Sequence, residues 1–236
     1  MLIGSDYPKI DFSCFGLELL EPNAMLGDLV ICIVSLFFAF KVGKMPLQNT
    51  FFVAWRWFFI LFAIGFLLGG LGHLMYNYWE VSGKYASWYL GIISVFFIER
   101  AMISIHPNKT FVRVFNFVVF GKLIAAVSVA SAVFVLFDLK ENPSLGLRVP
   151  SFNSTVGLLF SLGFLGFFYY KKLSSVFKPF WISVLVLFPA VFFQSLKINL
   201  HQWFDKNDAS HFLLAISLTL YFYGVSAYQK HLSSDC

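Results

Sequence analysis

A chain of 236 residues that is 59% hydrophobic and 12% charged, with a mean hydropathy of +0.77, is too apolar for a soluble domain, where about a quarter of residues are charged. Its net charge of +5 is dispersed through short loops, which excludes a nucleic-acid-binding stripe and leaves the basic residues as marks of membrane topology. Cys14, Cys32 and Cys236 are too few and too scattered for a disulfide framework or a CxxC metal knuckle. Asp6, Lys9 and Asp11 precede any apolar run, so the start does not read as a cleavable signal peptide.

Residues 1–20 form a short polar-to-amphipathic segment carrying Asp6, Asp11 and Glu18. Glu21-Pro22-Asn23 is a helix start, and a first apolar helix follows over 24–42 with Asp28 just inside. A basic turn from Lys41 to Pro46 leads to a second helix over 50–73. That helix ends in Gly-Gly-Leu-Gly-His, with Tyr76, Tyr78 and Trp79 beyond it as an interfacial aromatic belt. A third helix covers 85–105 and is stopped by Pro107. The fourth takes 111–137 and holds Lys122 within the span, and a polar loop with two prolines runs from Asp138 to Pro150. Helices over 152–170, 177–197 (with a kink expected at Pro189) and 209–228 complete the chain. The fold class is therefore an all-α seven-transmembrane-helix bundle. A segment over 1–23 lies outside the membrane, the bundle spans 24–228, and a cytoplasmic tail takes 229–236.

Loop charge orients the bundle. Lys41 and Lys44, then Arg100, Lys109 and Arg113, then Lys171, Lys172 and Lys178 share one side with the Lys230 tail. The alternate loops mix both signs. The positive-inside rule places the basic side in the cytoplasm and the N-terminus outside. His73 and His211 then lie at similar depth on the outer side, with Glu18, Glu21, Asp28, Glu80, His201, Asp205 and Asp208.

His73, flanked by Gly69, Gly70 and Gly72, reads either as a metal ligand or proton-transfer group facing the bundle, or as an interfacial histidine satisfied by a carbonyl. Asp208 and His211 stand three apart and can share a helix face, so they could bind a metal together, or Asp208 could simply cap the helix. Glu18, Glu21, Asn23 and Asp28 offer oxygen ligands suited to a hard cation such as calcium, with plain solvation as the alternative. Lys122 needs a partner across the bundle, and Glu99 makes the expected intramembrane ion pair. No nucleophile elbow, HExxH, P-loop or dinucleotide fingerprint is present, and the helices show no inverted repeat.

Three places in the chain resemble the alkaline ceramidase group of the seven-helix CREST superfamily. Glu21-Pro22-Asn23 looks like the family's acidic calcium-binding segment, and Gly69 to His73 is similar to its Ser-x-x-x-His at the end of helix two. His211-Phe-Leu-Leu resembles the second half of its His-x-x-x-His at the start of helix seven. Gly69 stands where the family has serine and Asn207 where it has the first helix-seven histidine. The outer half of helix three offers Ser87 and Trp88 where the family keeps an aspartate. The resemblance implies a metal-assisted hydrolase of a lipid amide or ester, with zinc on His73 and His211 and Asp208 completing or supporting the site. The competing reading is a non-catalytic scaffold or small-ligand receptor that has lost its zinc set. Membrane lipids are the expected surroundings, and nothing in the sequence picks out a protein partner or one particular membrane.

Overall fold

The computed structural model describes residues 1–46 and 48–234, so Cys236 and the end of the expected tail lie outside the described residues. Among them, seven helical segments are long and apolar enough to cross a membrane. They are built from α1 (Pro22–Gly43), α2 (Thr50–Leu74), a short α3 (Tyr76–Trp79) leading by a 3-10 turn (Glu80–Lys84) into α4 (Tyr85–Ser104), α5 (Lys109–Leu136), α6 (Pro143–Leu158), α7 (Gly166–Lys172), α8 (Lys178–Ser195) and α9 (Lys206–Ser234). A π-helical stretch over Leu159–Leu165 joins α6 to α7 in one span.

Three features depart from the sequence reading. Residues 11–20 are an antiparallel hairpin, β1 (Asp11–Cys14) and β2 (Leu17–Leu20), so the architecture is all-α in its spans but carries a small sheet ahead of them. Phe15 and Gly16, both at positive φ, form its two-residue loop, a conformation that matches the twist of the paired strands. The polar loop expected over 138–150 is mostly helix. Pro143 sits in the first turn of α6, where its missing N–H costs nothing, and Pro150 lies inside the helix. Finally, α9 runs on through Ser234, so residues 229–234 extend the last span as helix.

The dry core lies toward the end where α1 closes and α2 opens. Phe51, Phe52, Trp55, Phe58 and Phe59 of α2 meet Phe38 of α1, Met102 of α4, Phe180 of α8 and Tyr221 of α9. Trp55 stacks on Phe180 with ring centroids 5.4 Å apart, and the Tyr169 hydroxyl donates to the Met102 carbonyl at 2.7 Å. The opposite end packs through small residues. A Cβ on Gly70 would lie 2.8 Å from the Met25 sulfur, and one on Gly72 would lie 2.7 Å from the Gly83 carbonyl oxygen. The glycine run at the end of α2 thus lets α1 and the 3-10 turn close onto it.

Residues 2–21 cover that glycine-rich end. Leu2 pairs with Asn199, and Asp6 is held by Lys197 and Lys206. The Glu18 backbone N–H donates to the Tyr78 hydroxyl at 3.0 Å.

Within the spans, the Lys122 Nζ lies 3.1 Å from the Glu99 Oε2 and donates to the Asn153 Oδ1 at 2.8 Å, joining α5 to α4 and α6. Glu99 is buried, so removing its cation strands a charge in the bundle. We expect Lys122→Met to destabilise the protein by about 3–5 kcal/mol in denaturant titrations in detergent. The double variant Glu99→Gln/Lys122→Met should recover most of that loss. A single variant as stable as wild type would refute the assignment.

Candidate functional site

The polar cluster forms where the N-terminus of α1, the C-terminus of α2, the 3-10 turn and the N-terminus of α9 meet. Glu21 occupies the turn from β2 into α1 at φ 52 and ψ 54, a left-handed conformation that costs a non-glycine residue on the order of 1–3 kcal/mol. Its surroundings hold it there. The Glu21 backbone N–H donates to the Ile10 carbonyl at 2.8 Å, and its carboxylate oxygen lies 2.8 Å from the His73 Nδ1 and 3.1 Å from the Lys9 Nζ.

Lys84 completes this half of the cluster. The 3-10 turn folds its side chain back under the end of α2, where the Nζ lies 3.4 Å from both ring nitrogens of His73. Lys9 stands 4.2 Å from the centroid of the Tyr76 ring and Lys84 5.6 Å from it, so the ring accompanies both ammonium groups.

The other half centres on α9. Asp205, not Asp208, caps that helix: its Oδ1 accepts from the backbone N–H of Asn207 at 2.6 Å and of Asp208 at 3.2 Å. The Asp208 carboxylate reaches back to the Asp205 N–H at 3.0 Å, a reciprocal capping box. The same Asp208 oxygen accepts from the Asn23 Nδ2 at 2.8 Å, locking α1 to α9. The His211 Nε2 lies 3.5 Å from the Asp28 Oδ1, and its ring meets Phe66 edge-on. The His211 Nδ1 is buried without a hydrogen-bond partner among the described residues. Gly27 makes room for it, since a Cβ there would lie 3.2 Å from that nitrogen.

The structure therefore brings Glu21, Asn23, Asp28, His73, Asp208 and His211 to one end of the bundle. Glu18 stays apart, exposed on the hairpin with its carboxylate taking the Ser13 hydroxyl at 2.6 Å. Asn207 is also engaged elsewhere, held by the Gln194 Nε2 at 3.1 Å. His201 accepts the Trp203 N–H within its own turn. Among the described residues, no three His, Cys, Asp or Glu side chains are gathered as a metal-ligand set.

Sequence reasoning missed Lys9, Lys84, Tyr76 and Ser87 as members of this site. Lys84 follows Glu80 closely in sequence, but Glu80 pairs with Lys140 at 2.7 Å. The usable signal was steric, in the Gly72 and Gly83 pair that brings the turn against α2. Ser87 was noted only for not being an acid, yet its hydroxyl lies 3.0 Å from where a Gly69 Cβ would be.

Burial alone would raise the Glu21 carboxyl, but the His73 hydrogen bond and the charges of His73, Lys9 and Lys84 outweigh it. The pKa falls from 4.5 to about 2. A depressed carboxyl stabilises the fold fully above its unfolded value and loses that contribution as pH falls through its folded value. Acid titration of stability should therefore show a loss of up to roughly 3 kcal/mol between about pH 4.5 and 2, which Glu21→Gln removes. An unchanged acid limb in Glu21→Gln would contradict the contact.

A search among curated proteins finds no match to this chain. A family model described only as a family of unknown function (DUF6962) matches residues 24–230, from the first turns of α1 to near the end of α9, and leaves Lys9 and Glu21 outside the matched stretch. The chain belongs to that family, DUF6962.

Proposed function

We propose that this protein is a multi-pass membrane protein on a ceramidase-like frame whose outer cluster has become a metal-free polar site, serving a small-ligand receptor or scaffold and not a zinc enzyme. The frame is supported by seven apolar spans and by the gathering of His73 and His211 at one end, with Asp28 and Asn23 of α1 joined to the start of α9. The charge asymmetry of the loops supports an extracytoplasmic N-terminal cover over 1–23 and a cytoplasmic C-terminal end from 229 onward.

One observation carries the reading: the Lys84 ammonium stands 3.4 Å from both nitrogens of His73. A divalent ion seated on that ring would stand on the order of 4 Å from the Lys84 ammonium, a like-charge contact that disfavours it while Lys84 keeps this place and its proton. Zinc is held by three or four protein ligands, and no three His, Cys, Asp or Glu side chains are gathered for it among the described residues. The donors present do not fit a resident zinc ion while Lys84 holds this place. An internal cation balances Glu21 and Asp28 instead. Calcium on the acidic segment is supported no better, because Glu18 points to Ser13 and the Asn23 amide donates to Asp208.

A second reading, hydrolysis of a lipid amide or ester, is favoured by one specific contact. The Ser87 hydroxyl lies beside Gly69, and the Asp28 Oδ2 lies 3.5 Å from the same absent Cβ. A hydroxyl from α4 thus stands next to the position from which the resemblance implies one on α2.

Metal analysis of the detergent-purified protein separates the two. We expect wild type to carry well under one zinc per chain even after equilibration with micromolar zinc, and to be inert toward ceramides and lipid esters. Lys84→Ala should gain zinc affinity, and that gain should vanish in Lys84→Ala/His73→Ala. Stoichiometric zinc in wild type, lost in His73→Ala and His211→Ala, would overturn the metal-free reading in favour of the hydrolase.

A further inference from the structure

At the end opposite His73 and His211, two adjoining cavities share one arginine. The first, about 200 Å³, is lined by Phe96, Arg100, Asn116, Phe117 and Phe120 on α4 and α5. The second, about 270 Å³, is lined by Gln48, Thr50, Val53, Ala54, Phe97 and Arg100 between α2 and α4. They flank Arg100 at the end of α4, the first an aromatic groove toward α5 and the second a more polar one toward α2. The Arg100 guanidinium stands 5.8 Å from the Phe96 ring centroid, and Trp57 stacks on Phe97 with centroids 6.4 Å apart.

Arg100 is exposed and has no carboxylate partner among the described residues. The reason lies in how charge is distributed over the whole chain. Apart from Glu99, which faces Lys122, and Asp235, which lies outside the described residues, every Asp and Glu belongs to the histidine end. Lys41, Lys44, Arg56, Lys109 and Arg113 crowd the arginine end. No carboxylate among the described residues pairs with Arg100, so its exposed guanidinium is open to an anion from outside the protein. A guanidinium offers a planar fork of donors that matches phosphate oxygens in pairs. Around it are phenylalanine walls that suit hydrocarbon chains, within helices whose outer faces are apolar.

We propose that this groove is a binding site for an anionic phospholipid. The lipid phosphate sits on Arg100 at the groove mouth, with Thr50 and Asn116 beside it, and an acyl chain runs along Phe117 and Phe120 between α4 and α5. The charge complementarity selects the anionic head group, and the aromatic walls select a lipid over a free anion. The site lies at the other end of the bundle from His73 and Lys84, so it stands or falls independently of the function proposed for that cluster.

The test is native mass spectrometry of the full chain released from detergent with phosphatidylglycerol, with phosphatidylcholine, or with inorganic phosphate. Wild type should retain phosphatidylglycerol over phosphatidylcholine by about fivefold, the ratio expected of one added charge contact at a membrane surface. Arg100→Gln should bring that ratio close to one, while Arg113→Gln, which lines neither cavity, should keep most of it. Equal retention of the two lipids by wild type, or an undiminished ratio in Arg100→Gln, would overturn the proposal. Inorganic phosphate displacing the lipid at millimolar concentration would also overturn it, by showing an anion site without lipid selectivity. If Arg100→Gln fails to fold, Arg100→Lys, which keeps the charge but not the fork, should at least halve the ratio, and a wild-type ratio there would refute the site.

Discussion

The contact on which the glycine-rich end depends is the one between Glu21 and His73. Hydrocarbon gives a polar side chain no water, so a histidine at the end of an apolar helix must find its partner in the protein. Glu21 supplies it from a backbone conformation that carboxylate residues rarely adopt, and that conformation steers the chain from the hairpin into α1. Once α1 is so placed, Asn23 faces Asp208, Asp28 faces His211, and Gly27 clears the space between α1 and α9. The N-terminal cover, the first span and the last span are thus oriented by one charged contact and its consequences.

Two polar clusters at different depths obey the same rule by different means. Glu99 and Lys122 satisfy each other across α4 and α5 with Asn153 as a third partner, a closed set that leaves little for chemistry. The cluster at the glycine-rich end is larger and mixed in sign, with Lys9 and Lys84 set among the carboxylates of Glu21, Asp28 and Asp208 and the rings of His73 and His211.

The spans were legible in the sequence because their signal is summed over about twenty residues. Single prolines and glycines move the ends without hiding the run. The hairpin was not legible: Phe12, Leu17 and Leu19 alternate too briefly, and only the Phe15-Gly16 pair hinted at a two-residue loop. Residues 143–150 misled in the opposite direction, because proline is read as a breaker unless its place in the first turn is known. For the site, depth could be inferred and direction could not. Counting charged loops put His73, His211, Asp28 and Asp208 at one level, but nothing in a one-dimensional pattern tells that Lys84 folds back under α2 or that Glu18 turns away to Ser13. The capping role offered to Asp208 as one alternative falls to Asp205, because the two are equally good candidates until the first helical residue is located.

The uneven distribution of aromatic residues has a mechanical consequence. Rings from α1, α2, α4, α8 and α9 interlock at one end at the density of a protein interior, and such packing resists deformation. At the other end α1 meets α9 through directional polar contacts, Asn23 to Asp208 and Asp28 to His211, while Phe38 and Phe222 of the same two helices stack within the aromatic end. The pairing of the first and last spans is therefore governed by charge at one end and by shape at the other, so a substitution that alters protonation and one that alters ring volume act on the same helix pair from opposite ends.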